Sequence, residues 1–254
     1  MKQITLPLLA LVFSAAVASA SWKVGGSTAL GSPGNSAEVR EVQLSTEGRS
    51  ARLTAIVFPE KSFALRVLDS PSPGGTKAAQ VLQAAGCVAG VNGGYFHDDY
   101  RPVGLMVSDG KEVHAFEKAR LLSGVLAVRG NRIEIVRSGA FKPGRDVRQA
   151  LQCGPMLVES GAPVAGLNAE RIARRTVVAT DGRGHWALAY ITSVSLADAA
   201  RILTAPGLFG DWPVKTALNL DGGSSSGLWA ASAGKPVSLP EFGTVRNYLG
   251  IEPR

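Results

Sequence analysis

Residues 216–227 read Thr216-Ala217-Leu218-Asn219-Leu220-Asp221-Gly222-Gly223-Ser224-Ser225-Ser226-Gly227. The first five predict a short strand over 216–220 that enters a turn at Asp221-Gly222-Gly223. Side chains alternate along a strand, so Asn219 and Asp221 share one face while Leu218 and Leu220 take the other. Two polar groups on one side of an otherwise apolar strand are costly unless paired or used. The glycine pair permits positive φ and a close approach of backbone to a ligand. The serines that follow offer hydroxyls and backbone N–H groups suited to an oxyanion. The same layout occurs upstream, where a short apolar strand over 87–91 runs into Asn92-Gly93-Gly94, followed by Tyr95. Loops just beyond strand ends are common places for sites on a rigid scaffold.

Outward from these two segments the chain reads as strands joined by tight turns. Val39–Leu44, Leu53–Val57 and Phe63–Leu68 fit strands. Residues 103–108 and 111–116 flank Asp109-Gly110, 124–129 and 132–137 flank Gly130-Asn131, and 175–180 and 185–192 flank Asp181–Gly184, three hairpins with good turn chemistry. A helix is predicted over 77–85, stopped by Gly86. Ser195-Leu196-Ala197-Asp198 is a capping box opening a second helix to about Thr204, ended by Pro206 and Gly207. With 30 glycines and only 19% charged residues, tight turns between many strands suit the composition better than a helical bundle. The expected class is α+β, a single domain of curved mixed β-sheet with a few packed helices. Residues 21–37, rich in Gly, Ser and Pro, read as a flexible lead-in, leaving 38–254 as the domain.

Residues 1–20 read as a cleavable signal peptide. Lys2 supplies a positive start, residues 4–17 form an apolar stretch broken by Pro7 and Ser14, and Ala18-Ser19-Ala20 has the small-x-small form that precedes cleavage. A bilayer core needs roughly 20 consecutive apolar residues, so the stretch is too short for an anchor, and no integral membrane segment is expected after cleavage. The protein is expected to be exported, to the periplasm or onward as a secreted protein. Its formal charge of +7 suits acidic partners such as phosphorylated glycans or anionic envelope polymers. Nucleic acid is not indicated, because the cations are scattered with no basic run interleaved with aromatics. In an oxidising compartment Cys87 and Cys153 are expected to form one disulfide, contributing roughly 4 kcal/mol in the chain-entropy model.

Gly223-Ser224-Ser225-Ser226-Gly227 matches the G-x-S-x-G pattern of serine hydrolases, but that motif needs a helix after the serine and a later histidine. His97, His114 and His185 all precede Ser225. A zinc hydrolase lacks its ligands, with no His-x-x-x-His pair or His/Cys cluster. No cofactor is expected; Asp and Asn oxygens can bind Ca²⁺ or Mg²⁺, but no spacing demands a metal. Arg174-Arg175-Thr176 opens a strand. Guanidinium groups hold phosphate oxygens bidentately and a threonine hydroxyl adds a donor. Alternation turns one arginine inward, with Arg175 favoured.

Four segments in order resemble the phosphodiester glycosidase family. They are Val91-Asn92-Gly93-Gly94-Tyr95-Phe96 with Pro102–Leu105 and Asp109-Gly110-Lys111; Cys153-Gly154-Pro155-Met156-Leu157-Val158 with Gly161; Arg174-Arg175-Thr176; and Asn219–Ser224. The chain departs from the family pattern at Ser225, near a usual third glycine, and at Tyr95, where Phe is frequent. The resemblance implies hydrolysis of a sugar linked through its anomeric carbon to a phosphodiester, in an envelope or extracellular glycan or glycolipid. It implies catalytic roles for Asp221, Arg175 and Asn92, and substrate binding by Thr176, Asn219, Gly222, Gly223, Ser224, Gly93, Gly94 and Tyr95. Most glycosidases use two carboxyl groups; Glu60, Asp98, Asp99 and Asp181 are candidates for the second. The competing expectation is a non-catalytic protein that binds phosphorylated or acidic envelope polysaccharide on the same fold.

Overall fold

The structure is a computed structural model that describes residues 21–34, 36–71 and 77–254. The predicted signal peptide, residues 1–20, lies outside the described residues. In chain order the strands are β1 Lys23–Gly34, β2 Ala37–Thr46, β3 Arg49–Pro59, β4 Phe63–Asp69, β5 Ala89–Asn92, β6 Met106–Ser108, β7 Lys111–His114, β8 Gly124–Arg129 and β9 Arg132–Arg137. They continue as β10 Val147–Cys153, β11 Met156–Glu159, β12 Ala162–Pro163, β13 Ala173–Thr180, β14 His185–Val194, β15 Thr216–Asn219, β16 Leu228–Ala230, β17 Val237–Leu239 and β18 Asn247–Pro253. The α-helices are α1 Ala78–Ala84 and α2 Leu196–Leu203.

The strands form an eight-stranded sheet ordered β1-β2-β3-β14-β13-β15-β11-β12 and two five-stranded sheets ordered β7-β6-β10-β8-β9 and β17-β16-β5-β18-β4. Tight turns return the chain beside itself, which pairs neighbours antiparallel; parallel pairing needs a crossover of a dozen or more residues. All ladders among the described residues are antiparallel, from β2 on β3 to β18 on both β4 and β5. The expected mixed sheet is therefore corrected to antiparallel sheets, and the α+β class is helix-poor and dominated by strands.

The lead-in is also corrected. Residues 23–34 are β1, paired with β2 from Lys23 opposite Ser45 to Gly34 opposite Ala37. An edge strand needs backbone hydrogen bonds more than apolar side chains, and the glycines absorb its irregularities: the register shifts fall at Val24/Gly26, Ala29/Gly31 and Gly31/Gly34. Trp22 pins its start. The ring is buried among Leu44, Leu53 and Leu203, and its Nε1 donates to Asp198 Oδ1 at 3.1 Å.

The central sheet is covered on both faces. Val178 points into a core shared with Leu65, Val91, Leu126, Leu151 and Leu249 of the other two sheets. Its neighbours Val177 and Ala179 point the other way, against Ala199, Ile202 and Leu203 of α2. The period of two thus gives β13 two buried faces, a near-continuous apolar run after its polar start. The α2 cap is as its sequence predicts, with Ser195 Oγ accepting from the Asp198 amide at 3.0 Å.

The expected disulfide is absent. Cys87 and Cys153 are free and buried, and they belong to different layers. Cys87 packs under α1 with Leu82 and Tyr248, whereas Cys153 ends β10 in the central core. Burial pushes each thiol up to about 12. Native protein should therefore resist a thiol reagent, and unreduced protein unfolded in denaturant should take up two labels per chain. No labelling in denaturant would restore the bond.

Candidate active site

The two Gly-Gly turns come from different sheets and lock together. β15 carries Asp221 just beyond its end, and β5 ends at Asn92. The Asp221 amide donates to Gly93 O at 2.9 Å, and Asn92 Nδ2 donates to Asp221 O at 2.8 Å. Asn92 Oδ1 accepts from the Thr176 hydroxyl at 2.7 Å and from the Gly227 amide at 3.1 Å. One buried amide side chain thus ties β13, the Asp221 turn and the approach to β16. Gly93 is required by proximity, because a Cβ there would collide with Asn247 Oδ1. Gly223 is required by conformation, with φ +65 at the start of a 3-10 turn over Gly223–Ser225. That single turn, in place of a longer helix, also removes the serine-hydrolase match.

Asp221 keeps its side chain at the surface of this knot. Burial pushes its carboxyl above the usual carboxylate range, against hydrogen bonds from the Ser225 hydroxyl and the Gly222 amide. The Gly222 amide lies 2.8 Å from Oδ1. Tyr95 sits within electrostatic reach of both Asp221 and Arg175. Its hydroxyl donates to Gly154 O and accepts from Asn219 Nδ2 at 3.0 Å. Asn219 also donates to Gly154 O at 2.8 Å, and its buried Oδ1 has no hydrogen-bond partner among the described residues.

Arg175 is the inward arginine, 7% exposed. Nε donates to Val194 O at 3.1 Å and Nη2 to Arg171 O at 2.6 Å. Both partners are neutral carbonyls, and Nη1 faces Gly222, 4.0 Å from where a Cβ would stand. Burial lowers its pKa from the ordinary arginine value. A cation held without a carboxylate among the described residues, beside a glycine turn, is a ready seat for an anion. Arg174 instead lies over the exposed ring of Phe242, 3.8 Å from its centroid. The Phe242 amide donates to Ser224 O at 2.8 Å, so this cation–π pair stands beside the Ser224 turn.

The residues expected at the site are therefore brought together, in two groups. Asp221, Arg175, Gly222, Gly223 and Ser224 line one turn. Asn92, Thr176 and Asn219 are buried with protein partners and act as its frame, and Gly94 is held through its amide by Asn247 Oδ1 at 2.7 Å. Of the carboxylate candidates, Asp181 and Glu60 sit at the far end of the sheet, beside His185. Asp99 pairs with Arg101 at 2.7 Å, and Asp98 lies exposed in the same loop. Asn247 escaped the sequence reading, although it is, like Asn219, an asparagine in an apolar strand. Phe242 carries no local signal. Among the described residues no cluster of three His, Cys, Asp or Glu side chains is gathered to hold a metal ion.

Comparison with known proteins is consistent with this geometry. Residues 85–252 match the phosphodiester glycosidase family. The Escherichia coli K12 protein YigE is 36% identical over 78 residues, which are 28% of this chain and 31% of that one. The aligned part thus spans under a third of that relative. A solved structure from Synechocystis superposes with a TM-score of 0.60 at 16% identity, covering 86% of this chain and 62% of the other. The catalytic domain of zebrafish N-acetylglucosamine-1-phosphodiester alpha-N-acetylglucosaminidase, auto-inhibited by its pro-peptide, superposes with a TM-score of 0.58 at 18% identity, covering 94% of this chain and 85% of that domain.

Proposed function

Because the chain belongs to the phosphodiester glycosidase family, we propose that it hydrolyses the bond between a sugar's anomeric carbon and a phosphodiester in an exported compartment. The observation that carries this reading is Arg175, a buried guanidinium bonded only to carbonyls among the described residues, beside the Asp221-Gly222 turn. The phosphate would sit against Nη1 of Arg175 and the backbone of Gly223 and Ser224, where it supplies the missing negative charge. Asp221, held above the usual carboxylate range, is suited to exchange a proton nearer neutral pH. Water attacks the anomeric carbon and gives its proton to Asp221. The bond between the anomeric carbon and the phosphate oxygen breaks, and the phosphate monoester leaves with the electron pair. A phosphate is stable as an anion, so the step needs little proton donation to the leaving group.

The location follows from residues 1–20, which have the form of a cleavable signal peptide. Among the described residues no helix is long and apolar enough to cross a membrane. An envelope or extracellular glycan or glycolipid is then the accessible substrate.

The test is hydrolysis of a synthetic hexosamine-1-phosphodiester in ¹⁸O-water, followed by mass spectrometry. The label should enter the sugar hydroxyl at the anomeric carbon. Label in the phosphate would make the protein a phosphodiesterase of another kind, and tight binding without product would make it a binding protein.

A further inference from the structure

β13 runs from Arg175 and Thr176 to Thr180, and the Asp181–Gly184 turn follows it. Five residues at about 3.3 Å each put that turn roughly 16 Å from Thr176. A cavity of about 1240 Å³ opens there, between the turn and the segment 203–215. A second cavity, of about 450 Å³, adjoins it and shares Arg183 and His185. Neither is lined by any residue of the Asp221 turn.

Three rings line up at this end. Trp212 stacks on buried Phe209, with centroids 4.9 Å apart and planes at 20°. His185 stacks beyond Trp212 at 5.9 Å and 14°. The row begins in the core and ends at a half-exposed imidazole, so it offers a rigid flat surface to the cavity. His185 is oriented from behind. Asp181 is buried, and its Oδ2 lies 2.6 Å from His185 Nδ1. Its Oδ1 accepts from the amides of Arg183 at 2.7 Å and His185 at 3.0 Å. The carboxylate keeps the proton on Nδ1 and leaves Nε2 free to accept a hydroxyl.

The charge around the rings is unbalanced. Arg183 and Lys215 are exposed, and neither has a carboxylate within ion-pair distance among the described residues. Arg40, also on the wall, is already paired with Glu38 at 2.9 Å. Among the described residues Asp211 is the one acid on the larger cavity's wall besides Asp181, and Glu60 lines the smaller one. A flat aromatic face takes the apolar face of a sugar ring, and unpaired cations take an acidic substituent.

We propose that this end of the sheet is a second saccharide site, for a pyranose ring carrying a phosphate or carboxylate. The ring packs on the outward face of His185 at the end of the row, against the edge of Trp212, its hydroxyls meet Asp211, and its acid group meets Lys215 and Arg183, while His185 Nε2 takes a hydroxyl of the next sugar along the track. The adjoining cavity extends the track beyond one sugar, so the site suits a segment of an acidic polymer. The inference does not depend on hydrolysis at Asp221.

The test follows the indole N–H signal of Trp212 by NMR, assigned with a Trp212→Phe variant. The probes are a galacturonic acid oligomer, mannose 6-phosphate, a neutral galactose oligomer and AMP. Both acidic sugars, or one of them, should shift the signal at millimolar concentration, and Asp221→Asn should not alter that response. Combined Arg183→Ala and Lys215→Ala substitution, confined to exposed side chains, should weaken acidic-sugar binding about tenfold or more. Hydrolysis of a small phosphodiester should stay at the wild-type rate in that variant. The proposal is overturned by no shift with either acidic sugar, by an equal response to the neutral oligomer, by tighter binding of AMP, or by undiminished affinity in the double variant.

Discussion

An Asp221→Asn variant is expected to lose glycosyl phosphodiester hydrolysis by at least about a hundredfold while melting at or above the wild-type temperature. The two halves have one cause. Burial holds the folded-state carboxyl above its unfolded value, against the bonds from Ser225 and Gly222. Between those two values the folded chain binds the extra proton, so stability falls as pH rises through the window, and above it the wild type bears the cost of burying the charge. Asparagine removes that charge and keeps an oxygen for the Gly222 amide and the Ser225 hydroxyl. A structural aspartate would behave in the opposite way, losing stability on neutralisation. Thermal melts with turnover measurements at pH 7 check both halves. Wild-type turnover in the folded variant would remove Asp221 from the reaction, and a large fall in melting temperature would make it a structural group.

The largest loss of stability is expected from Asp198→Ala. Its side chain, 3% exposed, pairs with Arg49 at 2.6 Å and with Arg201 at 3.3 Å. It also accepts from Trp22 Nε1 at 3.1 Å and from the Ser195 hydroxyl at 2.9 Å. Alanine leaves a buried indole N–H without its acceptor and two guanidinium groups without their counter-charge. The arginines are partly exposed and recover water, so the expected cost is about 3 kcal/mol. Burial opposes ionisation of Asp198, but the bonds from Arg49, Trp22 and Ser195 outweigh it, and its pKa is lowered. For a depressed carboxyl the stabilisation is complete above the unfolded value near 3.9 and is lost as pH falls through the folded one. The gap between wild type and variant should therefore be full at pH 7 and close below about pH 4. Urea unfolding at several pH values measures it. A gap of equal size at pH 3 would place the effect in packing rather than charge.

Local chemistry accounts for what was legible. The hairpin around Gly130-Asn131 joins β8 and β9 as expected, with Gly130 at φ +56, because a turn is specified by its own residues. The Ser195 cap is legible for the same reason. β1 was not, because its pairing depends on β2 and on a tryptophan reaching α2, and its glycines argue locally for a loop. Counting cysteines could not reveal that Cys87 and Cys153 occupy separate layers. At the candidate site, alternation identified Asn219 and Asp221 on one face, and Arg175 as the inward arginine. It could not show that Asn92 and Thr176 would be consumed by each other, since that bond joins residues 84 apart. Nor could it show Asp181 and Glu60 carried to the far end of the sheet, which follows from strand direction.

β18 occupies the slot between β4 and β5. Gly93 hangs from Asn247 O at 2.8 Å, and the Asp221 amide hangs in turn from Gly93. The bond from Gly94 to Asn247 spans 153 residues of sequence. Nothing can close the knot around Asp221 until the ribosome has delivered β18, so the nascent protein carries its chemistry unassembled for almost the whole of its synthesis. Pairings this remote in sequence also form slowly, on the order of milliseconds to seconds. Were the chain threaded through an export channel, as the proposed function requires, it would pass before it had set, and the knot around Asp221 would close on the far side of the membrane.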